Sequence, residues 1–339
     1  MTPTAPDLPD LPSGWTARVP GPDDLPALAR LRVAGQAPFT GDSSVDEAGV
    51  ESEVMGQASW TRRQIVAAGD DGVPRAWLSV QDRAAGRSIV SCYVDRTLPA
   101  AAAVAGALYA WAERVALGMA RLRGIEETRL DASPFSDDDA QLAWLVEAGY
   151  SRRRRWLHLT RPVRVDEVVP PVREGVTVRR VETHPNGIPI AEDLQIVHRM
   201  LEESFEDHFN SYRESFPEFV QRLREDPGHR WDHWWLVFVD TDEGPGPAGA
   251  LVSSVLGADE TGHTGSYVEY IGVNRHARGR GVAKGLLFTV IADAVERGRN
   301  RVDLEVDDTS PTNADQLYVS LGWHAHYVTD SWFRDLTVS

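Results

Sequence analysis

Residues Tyr267–Lys284 read YVEYIGVNRHARGRGVAK, and this stretch decides the fold. Val268 to Val273 is β-branched and aromatic, the composition of a buried strand. Arg278, Gly279, Arg280 and Gly281 then form a basic, glycine-bearing turn. A helical period follows at once, with Val282, Leu286 and Val290 on one row and Ala283, Leu287 and Ile291 on the next. Strand, glycine turn, helix is the grammar of a phosphate cradle. Glycine lets the backbone come close to an anion, the first helical turn offers free N–H groups, and the helix dipole adds positive potential. Arginine adds planar, charge-assisted hydrogen bonds.

Outward from that stretch, Arg301–Asp307 alternates Val302, Leu304 and Val306 with charge and reads as the next strand. A short helix is expected after it, opened by Asn313 with Gln316 three residues on and closed by Gly322. Upstream, Ile190, Leu194, Val197 and Leu201 make a buried helical stripe, and Phe216, Phe219, Val220 and Leu223 a second amphipathic segment. Trp234–Val239 and Ala248–Leu256 read as strands.

The earlier half repeats this order. A strand at Thr16–Val19 and a helix through Leu25, Leu28 and Leu31 lead through an unpatterned stretch, 40–58, to strands at Gln64–Ala68, Arg75–Gln81 and Ser88–Asp95. The long helix Leu98–Ala120, the strand Thr128–Asp131, the helix Ser136–Ala148 and the strand Ser151–Thr160 complete it. The chain therefore reads as a tandem repeat. Laid over each other by their closing glycines, Gly149 and Gly322, the halves place Leu145 opposite Tyr318. Arg96 to Ala102 carries no glycine turn, so the first copy lacks the cradle and the phenol, and the chemistry is expected in the second. The expected division is a disordered, proline-rich tail at 1–14, a degenerate domain at 15–161, a linker at 162–175 and a catalytic domain at 176–339.

Composition sets outer limits. Of 339 residues, 42% are hydrophobic and 25% charged, which is globular. The single cysteine, Cys92, excludes a disulfide framework and a cysteine-rich metal site, and fits a reducing, cytoplasmic setting. No run is long and apolar enough to span a bilayer, and the start lacks the marks of a signal peptide. A net charge of -16 argues against nucleic acid and suits a cationic partner, though acidity also serves solubility.

The motif at Arg278, Gly281 and Ala283 resembles the Q/R-x-x-G-x-G/A pyrophosphate motif of the GNAT acetyltransferase superfamily. Asn313, Tyr318, Gly322 and Trp323 resemble that superfamily's closing element, with a shorter Asn–Tyr spacing and Trp in place of Phe. The likeness covers roughly residues 175–339, and the tandem layout resembles mycothiol synthases in architecture. The resemblance implies an α/β (α+β) chain of two GNAT folds, each a mixed sheet flanked by helices. It implies acetyl-CoA as cosubstrate, with no metal. It implies backbone contacts to pantetheine from Ile271, Gly272 and Val273. Pyrophosphate contacts fall to Arg278, Gly279, Arg280, Gly281, Val282, Ala283 and Lys284, with a further contact from Asn313.

Acetyl transfer to an amine needs a base, an oxyanion donor and an acid for the thiolate. Glu269, mid-strand, is the candidate base, since superfamily members often carry a glutamate there; the alternative is a solvent-facing glutamate on an alternating strand. Tyr318 is the candidate acid; the alternative is a tyrosine packed in the core. For the acceptor, the acidic run Glu202, Glu203, Glu206, Asp207 and His208 suits a cation, and a solvated helix face would read the same. Trp231, Trp234 and Trp235 could wall a pocket or belong to the core. The expected function is N-acetylation of a small-molecule amine by a monomer. The alternatives are acetylation of a protein or peptide amine, and a non-catalytic acyl-CoA sensor.

Overall fold

A computed structural model describes residues 8–205, 214–309 and 314–338. The chain divides into two compact units. The first comprises Met1–Leu157, Asp307–Asn313 and His326–Ser339; the second comprises His158–Val306 and Ala314–Ala325.

The first unit opens with β1 (Thr16–Arg18), α1 (Leu25–Thr40) and α2 (Glu47–Val54). Three antiparallel strands follow, β2 (Arg62–Ala68), β3 (Pro74–Asp82) and β4 (Arg87–Val94). The long α3 (Ala101–Arg123) then crosses to β5 (Glu127–Ala132), which runs parallel to β4. On α3, Val104, Leu108, Trp111 and Val115 share one helical face, packed with Ile65, Leu78 and Leu130 of the strands. After α4 (Asp139–Glu147), capped by the Asp138 carboxylate on the Gln141 N–H, comes β6 (Ser151–Pro162).

The second unit repeats the scheme. It has β7 (Val176–Arg180), α5 (Ala191–Phe205), α6 (Phe216–Arg224), β8 (His229–Thr241), β9 (Gly244–Leu256) and β10 (Gly265–Val273). Helix α7 (Val282–Glu296) crosses to β11 (Arg301–Asp307), which is parallel to β10, and α8 (Ala314–Ser320) leads to β12 (His324–Thr337). The sheet order runs β7-β8-β9-β10-β11, with the His158–Pro162 end of β6 beyond β11. One face of β8–β10 is covered by α5 and α6, through Leu194, Val197, Leu201, Phe219 and Leu223 on Trp234, Leu236 and Val252.

The units are not the contiguous halves that the sequence suggested. Strand β12 pairs antiparallel with β5, from Trp332 opposite Ala132 to Thr337 opposite Glu127, so residues 326–339 group with the first unit. The end of β6 groups with the second, where the Thr160 hydroxyl donates to Asp303 on β11. Strand pairing between segments so distant in sequence leaves no local mark on either. The unpatterned stretch at 40–58 contains α2, eight residues whose N-cap is the Asp46 carboxylate. Among the described residues, no helix is long and apolar enough to cross a membrane.

Candidate active site

The site is built by a fault in one strand. Strand β10 pairs with β9 along its whole length, but the register shifts between Val268 and Tyr270: Val268 stands opposite Ser253, and Tyr270 opposite Val252. Glu269 is the extra residue of a β-bulge. A bulge sends two successive side chains to one side of the sheet. Glu269 and Tyr270 thus both face α5 and α6, where Tyr270 meets Phe205, Phe219 and the Arg222 guanidinium.

At the same point β10 parts from β11. Their parallel pairing covers only Ser266–Val302, Tyr267–Asp303 and Val268–Leu304. From Glu269 to Val273 the β11 side of β10 has no ladder partner among the described residues, so backbone groups of Ile271, Gly272 and Val273 are open to an extended ligand. Gly272 has a packing reason as well. A Cβ there would come within 2.8 Å of Ser204 Oγ and 3.0 Å of Leu201 Cδ2, so α5 rests directly on this backbone.

Beyond Val273, Asn274 tightens the chain by accepting from the His276 N–H while donating to Glu203. Gly279 (φ 77°) and Gly281 (φ 87°) then adopt left-handed backbone that other residues resist. Gly281 is the N-cap of α7, and no side chain caps that terminus. The first intrahelical bond is Gly285 N–H to the Gly281 carbonyl, so Val282, Ala283 and Lys284 present free N–H groups. A Cβ on Gly279 would meet nothing within 4 Å, which leaves open space over the turn. The Arg278 and Lys284 side chains are exposed, whereas Arg280 donates to the Asp240 carbonyl at 2.9 Å. Open strand edge, glycine turn and uncapped helix together fit an acyl-CoA: pantetheine along β10, pyrophosphate on α7.

Glu269 is partly buried, and its Oε1 accepts from the Ser254 hydroxyl at 2.7 Å. Burial pushes its carboxyl up to about 7; Ser254 and Arg222 pull it down, and the charges of Asp226 and Glu305 push it further up. A carboxylate poised near neutrality can take a proton and release it again. Tyr318, on α8, is 7% exposed, with its ring edge-on to Trp323 at 6.0 Å. Trp323 is pinned by its Nε1–H to the Val302 carbonyl at 2.9 Å, which fixes the end of α8. Burial pushes the Tyr318 phenol up to about 12, so it keeps its proton at neutral pH.

The acceptor residues fare differently. Trp234 is fully buried, its ring enclosed by Phe219 at 5.7 Å and Trp231 at 5.2 Å. It is core under α6 rather than a pocket wall, because its position on β8 faces the helices. Glu206, Asp207 and His208, like Asn313, lie outside the described residues. Four residues carried no sequence signal. Ser254 sits in an ordinary strand pattern. Asp226 and Glu305 act on Glu269 only through the fold. Arg173, in the expected linker, donates to the Gly279 carbonyl at 3.4 Å, and its neighbour Val172 packs where Gly285 lacks a Cβ. Among the described residues, no group of three or more His, Cys, Asp or Glu could hold a metal ion.

Comparison with known proteins agrees with this geometry. Residues 197–323 match the acetyltransferase (GNAT) family. Mycothiol acetyltransferase of Salinispora arenicola is 29% identical over 249 residues, covering 69% of this chain and 75% of that protein. A GCN5-related N-acetyltransferase from Sphaerobacter thermophilus superposes with a TM-score of 0.73 at 24% identity, covering 96% of this chain and 97% of that one. A tandem GNAT protein from the clavulanic acid biosynthesis pathway gives 0.65 at 14% identity, over 95% and 98% of the two chains. Residues 197–323 are thus similar to GNAT acetyltransferases, and the chain shares its fold with tandem GNAT proteins.

Proposed function

We propose that the second unit transfers the acetyl group of acetyl-CoA to a primary amine of a small molecule, by direct attack and in the cytoplasm. The observation that carries this reading is the bulge at Glu269. It sets a carboxyl of near-neutral affinity for protons at the point where β10 leaves β11 and the cradle begins.

Glu269 takes the proton of the acceptor ammonium, which frees the lone pair for attack on the thioester carbonyl. A backbone N–H on the open edge of β10 stabilises the oxyanion. The C–N bond forms, the C–S bond breaks, and the Tyr318 hydroxyl gives its proton to the departing thiolate; the second proton shed by the nitrogen as the amide forms restores the phenol, and Glu269 releases its proton to solvent. The carboxylates of Asp226 and Glu305 near Glu269 favour a cationic acceptor.

The first unit gives the contrasting case. Strand β4 pairs with β3 without a bulge. Its parallel pairing with β5 ends at Ile89, but there the Gln141 side chain donates to the Cys92 carbonyl at 3.2 Å, and Arg96 pairs with Asp138. Protein groups occupy the opened edge, and Leu145, buried, stands where the second unit has Tyr318. These features support chemistry in the second unit alone, and two copies in one chain support a monomer.

The decisive experiment follows acetyl-CoA consumption across aminoglycosides, amino acids, polyamines and thiol-sugar amines. The last group comes first, given the mycothiol acetyltransferase relative. Turnover with at least one amine is expected; binding of acetyl-CoA with no turnover on any amine or peptide would favour a sensor instead. Tyr318→Phe is expected to lower kcat roughly tenfold to a thousandfold and leave the acetyl-CoA Kd unchanged. An unchanged kcat would remove the phenol from the mechanism. Arg173→Ala is expected to weaken acetyl-CoA binding about two- to fivefold, as fits one exposed charge beside a phosphate, with the difference shrinking at high salt.

A further inference from the structure

We propose that Ser254 is a positioning residue for Glu269, fixing Oε1 of the carboxylate so that Oε2 is the oxygen offered to the amine. The inference rests on the reading of Glu269 as base. The contact is Ser254 Oγ–H to Oε1 at 2.7 Å, while Oε2 has no hydrogen-bond partner among the described residues. The two oxygens thus have different tasks, one bound and one available.

The donor itself is rigid. Ser254 is 4% exposed in the middle strand of three, opposite His229 on β8 and Tyr267 on β10. A side chain on a doubly paired strand has little freedom, whereas Glu269, as a bulge residue, lacks a cross-strand partner to fix it. Without Ser254 the carboxylate could rotate about its terminal torsions, which are broad for glutamate. Misplacing a base by one ångström can cost two orders of magnitude in rate.

The bulge acts on the neighbour of this pair. In regular register Glu269 would stand opposite Val252 and still face the Ser254 side of the sheet, whereas Tyr270 would turn to the other face. The remaining charged neighbours do not substitute for the hydroxyl. Asp226, beyond α6, and Glu305 of β11 repel the carboxylate. Arg222 of α6 attracts it but is committed to Glu214, at 2.6 Å. His229 of β8 is neutral at physiological pH, since burial pushes it down to about 4.

The titration itself needs no acceptor. Isotope-edited infrared spectroscopy of the full chain follows the Glu269 carboxyl through a pH titration, assigned by its loss in Glu269→Gln. In the native protein it should titrate near 7. A hydroxyl donating to a carboxylate favours the charged form. Ser254→Ala should therefore move the midpoint upward by about one pH unit. Ser254→Thr, which retains the hydroxyl, should stay close to native. Ser254→Cys, a weaker donor of similar size, should move it part of the way and serves if the alanine variant fails to fold. All variants should bind acetyl-CoA with native affinity. A midpoint that stays in place or falls in both Ser254→Ala and Ser254→Cys would overturn the proposal. If Ser254 shifts the titration but Glu269→Gln turns over normally, the base reading fails while the pairing stands. If Glu269→Gln is inactive and the midpoint ignores Ser254, the positioning role alone fails.

Discussion

Glu269→Gln is expected to lose roughly 10²- to 10⁴-fold in kcat, the range for removal of a general base, while still binding acetyl-CoA. The substitution is isosteric, and the amide can still accept from Ser254, so the bulge should persist. In the native enzyme, activity should fall as pH drops below about 7, where the carboxyl becomes protonated. The variant should show no such limb. The same substitution should alter stability in a defined direction. The carboxyl of Glu269 is raised in the folded state above its ordinary value. A raised group contributes stability that is fully present below its unfolded value and lost as pH rises through its folded value, near 7. The native protein thus bears the cost of a buried charge at pH 8 and is free of it at pH 4. Glutamine bears no such cost. Calorimetric scans should find the variant gaining in Tm relative to native between pH 5 and pH 8. A gain in stability with a loss of turnover is the mark of a residue kept for chemistry. A variant with native turnover, or one less stable at pH 8 than at pH 5 relative to native, would contradict this account of Glu269.

The second large effect lies at the helix terminus. Gly281→Asp should weaken acetyl-CoA binding at least a hundredfold. Three causes add. Gly281 holds φ 87°, which strains any L side chain by about 1–2 kcal/mol. The new carboxylate can cap α7 and take the N–H groups that the pyrophosphate would use. Its charge also repels the phosphates. Because an aspartate cap favours the helix, the variant should remain folded, so lost binding would not reflect lost structure. Gly281→Ala, with the strain but neither cap nor charge, should weaken binding much less.

The strand, glycine turn and helix of the proposed cradle were legible because each is local. The strand composition of Val268–Val273, the glycines at 279 and 281 and the helical rows after Val282 lie within one continuous stretch, and their backbone demands follow from residue type. The tandem order was legible for the same reason, since periods and turn signals repeat. Glu269 was legible only as a position on a strand. Nothing in VEYIGV marks one residue as extra; the bulge appears only when β10 is laid against β9. Ser254, Asp226 and Glu305 were silent because they reach Glu269 through the sheet and not through the chain. Trp234 misled because tryptophan suits both a pocket wall and a core, and only the face of β8 decides between them. The grouping of residues 326–339 with the first unit was silent because the pairing partner of β12, β5, lies some two hundred residues earlier.

The measurement that bears most directly on the central claim is calorimetric titration of acetyl-CoA into the intact chain and into Gly281→Asp. The account predicts saturable binding to the native protein and binding at least a hundredfold weaker to the variant. No heat with the native chain, or equal affinity in the two, would contradict it.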